Sequence, residues 1–382
     1  MGSQAVGAVL THGSMGQTPE EQFVERARLA VLSAHVKSLR AAGVDLVAVA
    51  TDSAPFLQTR LTQRPDHWIA TSHTGFDFGE MLKGAVSSLS LSACIYVGSG
   101  AGPLLRYDDY RLLVANAKNP SGEVLLNNLY STDFASIAQA QRLLGLRLPR
   151  IDNALGILLT DQGVSCRSLP RNLRTQYDID TPTDVLLLQA ISWQPEELRS
   201  VSDSGFDLAA IEAVLETLTE RSGRLWLYGR INPTTWSWFQ DRTACQTAGV
   251  VEGRGLRSYR DAAATICQTC GSAFAEGGWE QFFDSLAKQA SAAVLDTRPL
   301  LAIGTDTATT ADRFRSDLLR ASRIGDHRWM AFTRAARDAS LPVLLGGHNL
   351  VSGGLYLLGR ACWKRRNLER RLCGRMTLEN KE

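Results

Sequence analysis

Charge of one sign is in short supply in this 382-residue sequence: 41 Lys and Arg face 39 Asp and Glu, a formal net of +2. A protein built around a polyanion needs a large basic excess, so nucleic acid is not an expected partner. Cysteine is sparse too, seven in all, an odd number without the density of a disulfide framework. No charged segment followed by an apolar core opens the chain, and a cytoplasmic location is the expectation. Long apolar runs are also lacking. Leu341 to Gly359 carries no formal charge and precedes Lys364, Arg365 and Arg366, but it contains five glycines, His348 and Asn349. That composition suits a buried strand, loop and helix, and no membrane span is expected. Several catalytic signatures are missing as well: Walker A, His-Glu-x-x-His, Gly-x-Ser-x-Gly, and Gly-x-Gly-x-x-Gly after a strand. Cys267 and Cys270 make one Cys-x-x-Cys in a helical stretch with no second pair at zinc spacing, so ordinary thiols are expected there.

What is present is an alternation of short apolar runs and amphipathic stretches, the pattern of an α/β fold with a mostly parallel sheet. Ala5 to Thr11, Leu46 to Ala50, Ala93 to Val97 and Ala154 to Thr160 read as buried strands, with a further strand over Gly122 to Leu126. Pro19 to Ala42 reads as a long helix with Thr18 as N-cap and acidic residues in its first turn. Phe78 to Leu89, Asp133 to Leu144 and Pro182 to Ala190 supply further helices. The pattern lapses between Ser192 and Asp207, which predicts a first domain over 1–191, a linker over 192–207 and a smaller α/β domain over 208–382. In the second half, strands are expected at Arg224 to Ile231, Gln246 to Val251, Ala292 to Leu295 and Pro342 to Leu345, with a helix over Pro233 to Asp241 capped by Asn232. The chain ends on a basic tail, eight basic against three acidic residues from Arg360 to Glu382.

The most specific stretch is Tyr177-Asp178-Ile179-Asp180-Thr181-Pro182-Thr183-Asp184. In an extended segment Asp178 and Asp180 share a face and could offer oxygen ligands to a divalent cation. The competing reading is helix capping by Asp180 or Thr181, with Asp184 favourable to the dipole of the first turn. The stretch resembles the Asp-x-Asp-Thr-Pro-x-Asp-Leu signature of the small nucleotidyltransferases of glycosyltransferase-A type, which include molybdenum-cofactor and phospholactate guanylyltransferases. Ala8 to Gly16 resembles that family's first strand and Gly-rich nucleotide loop, Leu39 to Val44 with Leu46 to Ala50 its second unit, and Tyr96 to Leu105 the segment carrying its metal-binding Asp-x-Pro.

The resemblance implies a glycosyltransferase-A-type fold over roughly residues 5 to 190. It implies nucleotide contacts from Thr11, Gly13, Ser14, Gly16, Ser99 and Gly100, and magnesium held by Asp180 with Asp178 beside it. The sequence departs from the family at two places: Ala101 stands where the Asp before the Pro is expected, and no Lys precedes Lys37, so Arg26 or Arg28 would have to meet the phosphates. Asn127, Asn128 and Asp133 follow a strand and could contact an acceptor, or form a turn that caps a helix. In the second half Arg230, Arg254, Arg298 and His348 all follow apolar strand patterns, which predicts one pocket for an anionic group unless they form structural ion pairs. The function implied is transfer of a nucleotidyl group from an NTP to a phosphorylated or carboxylated small molecule. The alternatives are a non-catalytic nucleotide- or metabolite-binding protein on the same fold, and a glycosyltransferase that uses a nucleotide sugar.

Overall fold

The computed structural model describes residues 5–72, 74–190, 196–199, 201, 205–253, 266–301 and 308–372. The chain forms two compact units: the first runs to Ile179 and regains the short helix Glu196–Arg199, while the second begins at Asp180 and includes both remaining strand-rich stretches.

The first unit is built on a seven-stranded sheet. Its strands are β1 (Val6–His12), β2 (Leu46–Thr51), β3 (His67–Ala70), β4 (Ala93–Gly98), β5 (Val124–Leu126), β6 (Phe134–Ile137) and β7 (Cys166–Ser168), in the order β3-β2-β1-β4-β6-β5-β7. All neighbours pair in parallel except β6, which is antiparallel to both β4 and β5. Side chains alternate between two cores, one on each face: Ala8, Leu10, Ile95 and Val97 pack with Leu32 and Val36, whereas Val9, Cys94 and Tyr96 pack with Phe78 and Leu82. The helix Pro19–Ala41 starts where the sequence places it. The Thr18 hydroxyl accepts from the Glu21 amide while the Glu21 carboxylate accepts from the Thr18 amide, a complete capping box.

Two elements differ from expectation. Residues 154–160 were expected as a strand, but Leu155–Asp161 is a helix that buries Leu155 and Leu159, one turn apart, on the same core. A short apolar run fits either period, and here the 3.6-residue one wins. Asp133 to Leu144, expected as a helix, instead supplies β6 and the 3-10 turn Ala140–Gly145. All four residues of β6 are buried, and the Ser136 hydroxyl donates to the Leu113 carbonyl at 2.7 Å, so insertion between β4 and β5 overrides the local helical pattern.

The second unit carries a four-stranded, fully parallel sheet of β8 (Arg224–Gly229), β9 (Gln246–Val251), β10 (Ala292–Asp296) and β11 (Val343–Gly346), in the order β11-β10-β8-β9. Tyr228, Leu295, Phe283, Trp329 and Phe332 fill its core. Asn232 caps the helix Pro233–Arg242 by accepting from the Thr234 amide. In the closing helix Gly353–Leu372, Leu355, Leu358, Ala361 and Cys362 are buried, as the apolar spacing requires.

The helix Pro182–Gln189 belongs to this second unit: Val185 to Leu188 are all buried, and the Thr183 hydroxyl donates to the Leu345 carbonyl at the end of β11 at 2.7 Å. The chain therefore changes unit between Ile179 and Asp180, ahead of the 192–207 segment, much of which lies outside the described residues. Among the described residues no helix is long and apolar enough to cross a membrane.

Candidate functional site

In an open α/β sheet the carboxyl ends of the strands face a crevice, deepest where the strand order reverses. In the first unit that point lies between β1 and β4. Register pairs Thr11 with Gly98, and the Ser99 amide donates to the Thr11 carbonyl at 2.9 Å, so the loops after both strands leave side by side. Thr11, Gly13, Ser14, Gly16, Ser99 and Gly100, the candidate nucleotide residues, are thus gathered at one edge of two adjacent strands. Gly100 is there because nothing larger fits: a Cβ would stand 2.6 Å from the Ile179 carbonyl oxygen.

The loop after β1 is held by the chain's own carboxylates. The Ser14 amide and hydroxyl donate to Asp52 Oδ1 and Oδ2 at 3.0 and 2.9 Å, and the Met15 amide donates to Glu25 Oε2 at 3.1 Å. Gly16 lies so close to Glu21 that a Cβ would meet its carboxylate. Two amides expected to cradle phosphate are therefore already engaged by carboxylates. Beside the loop lies a cavity of about 350 Å³ lined by Ser14, Met15, Glu25, Arg26, Phe56 and Arg60 among others. Phe56 is 41% exposed, and the Arg60 guanidinium stands 5.2 Å from its ring centroid.

Beneath the loop, His12 ends β1 and joins two partners: Nδ1 lies 3.1 Å from Ser99 Oγ and Nε2 lies 3.0 Å from Glu25 Oε1. The sequence reading passed over His12 and Glu25. The signal was there: Glu25 falls in helical register with Leu29, Leu32 and Val36, a carboxylate on a core-facing stripe.

Asn127, Asn128 and Asp133 also reach the carboxyl edge. Asn127 Nδ2 donates to Asp133 Oδ2 at 2.8 Å, and its Oδ1 accepts from the Asp133 amide at 2.9 Å. Asn128 Oδ1 accepts from Arg171 at 3.0 Å. Asp133 immediately precedes β6 and caps no helix.

For Asp178 and Asp180 the observed geometry is that of a turn and a cap. Asp178 bridges to Ala101 and its Oδ1 accepts from the Ile179 amide at 2.8 Å, in the first unit. Asp180 is exposed and opens the second unit. Thr181 is the N-cap of Pro182–Gln189, and Asp184 Oδ2 accepts from the Asp180 and Thr181 amides and the Thr181 hydroxyl. Burial pushes the Asp184 carboxyl up to about 7, against the hydrogen bonds from Asn349 and Thr181. Among the described residues no group of three or more His, Cys, Asp or Glu is placed to hold a metal. Ala101 supplies no oxygen side chain at the position where the resemblance expects a metal carboxylate.

In the second unit the strand order reverses between β8 and β10. Arg230 and Arg298 meet there through Asp296, which accepts Arg230 Nε at 2.9 Å and the Arg298 amide at 3.2 Å. Arg298 forms a bidentate pair with the buried Asp317 at 2.6 and 2.7 Å. The pocket reading thus gives way to ion pairing for these two arginines, since each guanidinium fork is occupied by an internal carboxylate. His348 begins the 3-10 turn after β11, and Arg254 lies outside the described residues.

No family model and no curated protein matches this sequence. Among solved structures the chain is similar to a nucleotidyl transferase from Methanothermobacter thermautotroptrophicus, at 16% identity and a TM-score of 0.39, over 52% of this chain and 100% of that one. It is also similar to a cytidylyltransferase from Leptospira borgpetersenii, at 17% identity and a TM-score of 0.38, over 53% of this chain and 92% of the other.

Proposed function

We propose that the first unit binds a nucleotide in the cavity beside the loop after β1, and that the chain is a nucleotidyltransferase-like protein. The observation that carries this reading is the cavity itself. Its volume falls within the range of small-ligand sites, and it lies beyond the carboxyl ends of β1 and β2, lined by the loop after β1 and by Ser53, Phe56 and Arg60. One exposed aromatic face, Phe56, offers stacking to a base, while Arg26 and Arg60 offer charge to phosphate oxygens. Those two arginines take the place of the early lysine that the sequence lacks.

The finer assignment is transfer of the nucleotidyl group from an NTP to an anionic small molecule. A second reading, binding without transfer, is favoured by two observations: Ala101 occupies the position of the expected metal carboxylate, and the loop amides at Ser14 and Met15 are bound to Asp52 and Glu25. Titration calorimetry with the four NTPs, their nucleosides and nucleotide sugars, each with and without magnesium, tests binding. At least one NTP is expected to bind with a Kd that Arg60→Ala raises about tenfold, a loss of about 1.4 kcal/mol. Absence of binding by all NTPs and nucleotide sugars would refute the proposal. Pyrophosphate release with phosphorylated and carboxylated acceptors then separates transfer from binding.

A further inference from the structure

We propose that Ser99 is a nucleophile for acyl transfer, activated by His12 under the orientation of Glu25. The inference is independent of nucleotide binding. It rests on a continuous hydrogen-bonded chain in which Ser99, His12 and Glu25 are 5, 2 and 7% exposed.

The direction of each bond follows from the donor inventory. Glu25, as a carboxylate, only accepts, and it already takes the Met15 amide on Oε2, so its Oε1 takes the hydrogen of His12 Nε2. In its neutral form the imidazole, with the hydrogen on Nε2, presents Nδ1 as an acceptor, and the remaining partner, Ser99 Oγ at 3.1 Å, donates to it. That is the arrangement a serine nucleophile requires: a base within reach of the hydroxyl, held in the right tautomer by a third group. A simple tether between β1 and β4 needs no imidazole between them, since the Ser99 amide already bonds the Thr11 carbonyl. Burying a carboxylate on the apolar stripe of a helix is costly unless hydrogen bonds compensate it, and Glu25 receives two.

The position fits as well. Ser99 is the first residue after a central strand, in a turn flanked by Gly98 and Gly100, at the point where the sheet reverses its order. The surroundings select the substrate class. Ser99 and its two partners are buried, so a charged phosphoryl centre brought to the Ser99 hydroxyl would lose its hydration without a compensating partner, whereas a neutral carbonyl carbon would not. The substrate class is a small, uncharged carboxylic ester. Ser99 Oγ forms a bond to the carbonyl carbon while the bond to the alcohol oxygen breaks. The serine proton passes to His12 Nδ1 and from there to the departing alcohol. Water then repeats the sequence in reverse, releasing the acid and restoring Ser99.

The test is covalent labelling of the full chain with phenylmethylsulfonyl fluoride, which sulfonylates an activated serine with loss of fluoride, read by intact mass and peptide mapping. A single adduct on Ser99 is expected. It should vanish in Ser99→Ala and form about a hundredfold more slowly in His12→Gln, the scale of general-base assistance. Hydrolysis of p-nitrophenyl acetate should fall in parallel. No adduct on Ser99 in the folded protein, or an unchanged labelling rate in a folded His12→Gln variant, would overturn the proposal. If His12→Gln does not fold, Ser99→Cys serves in its place: the new thiol should be the fastest to react with iodoacetamide, and alkylation no faster than at the native cysteines refutes the assignment.

Discussion

Both units bring charged side chains to the carboxyl ends of parallel strands, yet they spend their carboxylates differently. In the first unit Asp52 and Glu25 accept from backbone amides, a serine hydroxyl and a histidine, while the arginines Arg26 and Arg60 line a cavity. In the second, Asp296 and Asp317 accept from the forks of Arg230 and Arg298. The same edge of the same kind of sheet is therefore a polar site in one unit and an internal ion-pair network in the other. Topology places polar residues at this edge, but the pairing of charges decides whether any of them is offered to a ligand.

The most severe way to break the contrast is to strand a charge in the second unit. Asp317 is buried and takes both ends of the Arg298 fork. Asp317→Ala should cost about 3–5 kcal/mol in urea unfolding, because the guanidinium is left partly buried without its partner. The double variant Arg298→Leu with Asp317→Leu should recover most of that loss. A single variant within about 1 kcal/mol of wild type would mean that the pair is solvated and the contrast false.

A smaller loss is expected at Thr181, whose amide and hydroxyl both donate to the buried Asp184. Thr181→Ala removes the hydroxyl donor to a fully buried carboxylate as well as a helix cap, and about 2 kcal/mol should follow. Chemical denaturation of the variant beside wild type measures it, and a loss below about 0.5 kcal/mol would show that Asp184 does not depend on this hydroxyl.

Acidity should sharpen the comparison in opposite directions. In the first unit His35 is buried between the Tyr110 hydroxyl and the Ala101 carbonyl, and burial lowers it from 6.5 to about 4. Between those values the unfolded chain holds a proton that the folded unit does not, so the contribution of His35 to stability falls as pH drops from about 6.5 to 4. Asp184, raised from 3.8 to about 7, holds a proton in the folded unit that the unfolded chain has lost, so its contribution falls as pH rises through the same interval. Thermal melts from pH 4.5 to 7.5 should show His35→Gln flattening the acid side and Asp184→Asn flattening the neutral side. Parallel slopes for both variants would contradict the assignment.

How much of this was legible follows from what leaves a periodic trace. Pro19–Ala41 and the strands β1, β2 and β4 could be read because apolar spacing and a cap agree with their burial. β3 could not, being four residues of mixed exposure at the sheet edge. Ser99, His12 and Glu25 come together only through the fold, since His12 and Ser99 are 87 positions apart. The change of unit after Ile179 left no mark either, because the Asp-Ile-Asp-Thr-Pro run is locally continuous while its contacts are not.

The smallest expected effect comes from a motif that the two units share. Thr18-Pro19-Glu20-Glu21 and Thr181-Pro182-Thr183-Asp184 both open a helix with a threonine cap, a proline at the first position and an acid three residues on. Both boxes are complete, and their acids differ in what else they touch. Asp184 also receives Asn349 and the Asp180 amide, whereas the bonds of the first box run between Thr18 and Glu21 themselves: hydroxyl to carboxylate at 2.7 Å and amide to carboxylate at 3.1 Å. Thr18→Ala keeps the amide bond and loses the hydroxyl, so about 1 kcal/mol is expected, near the usual value of a helix cap. Thr18→Ser retains the hydroxyl and should restore it. If Thr18→Ala costs as much as Thr181→Ala, burial of the acid is not what separates the two boxes, and the loop after β1 depends on Glu21 more than its contacts with Gly16 indicate.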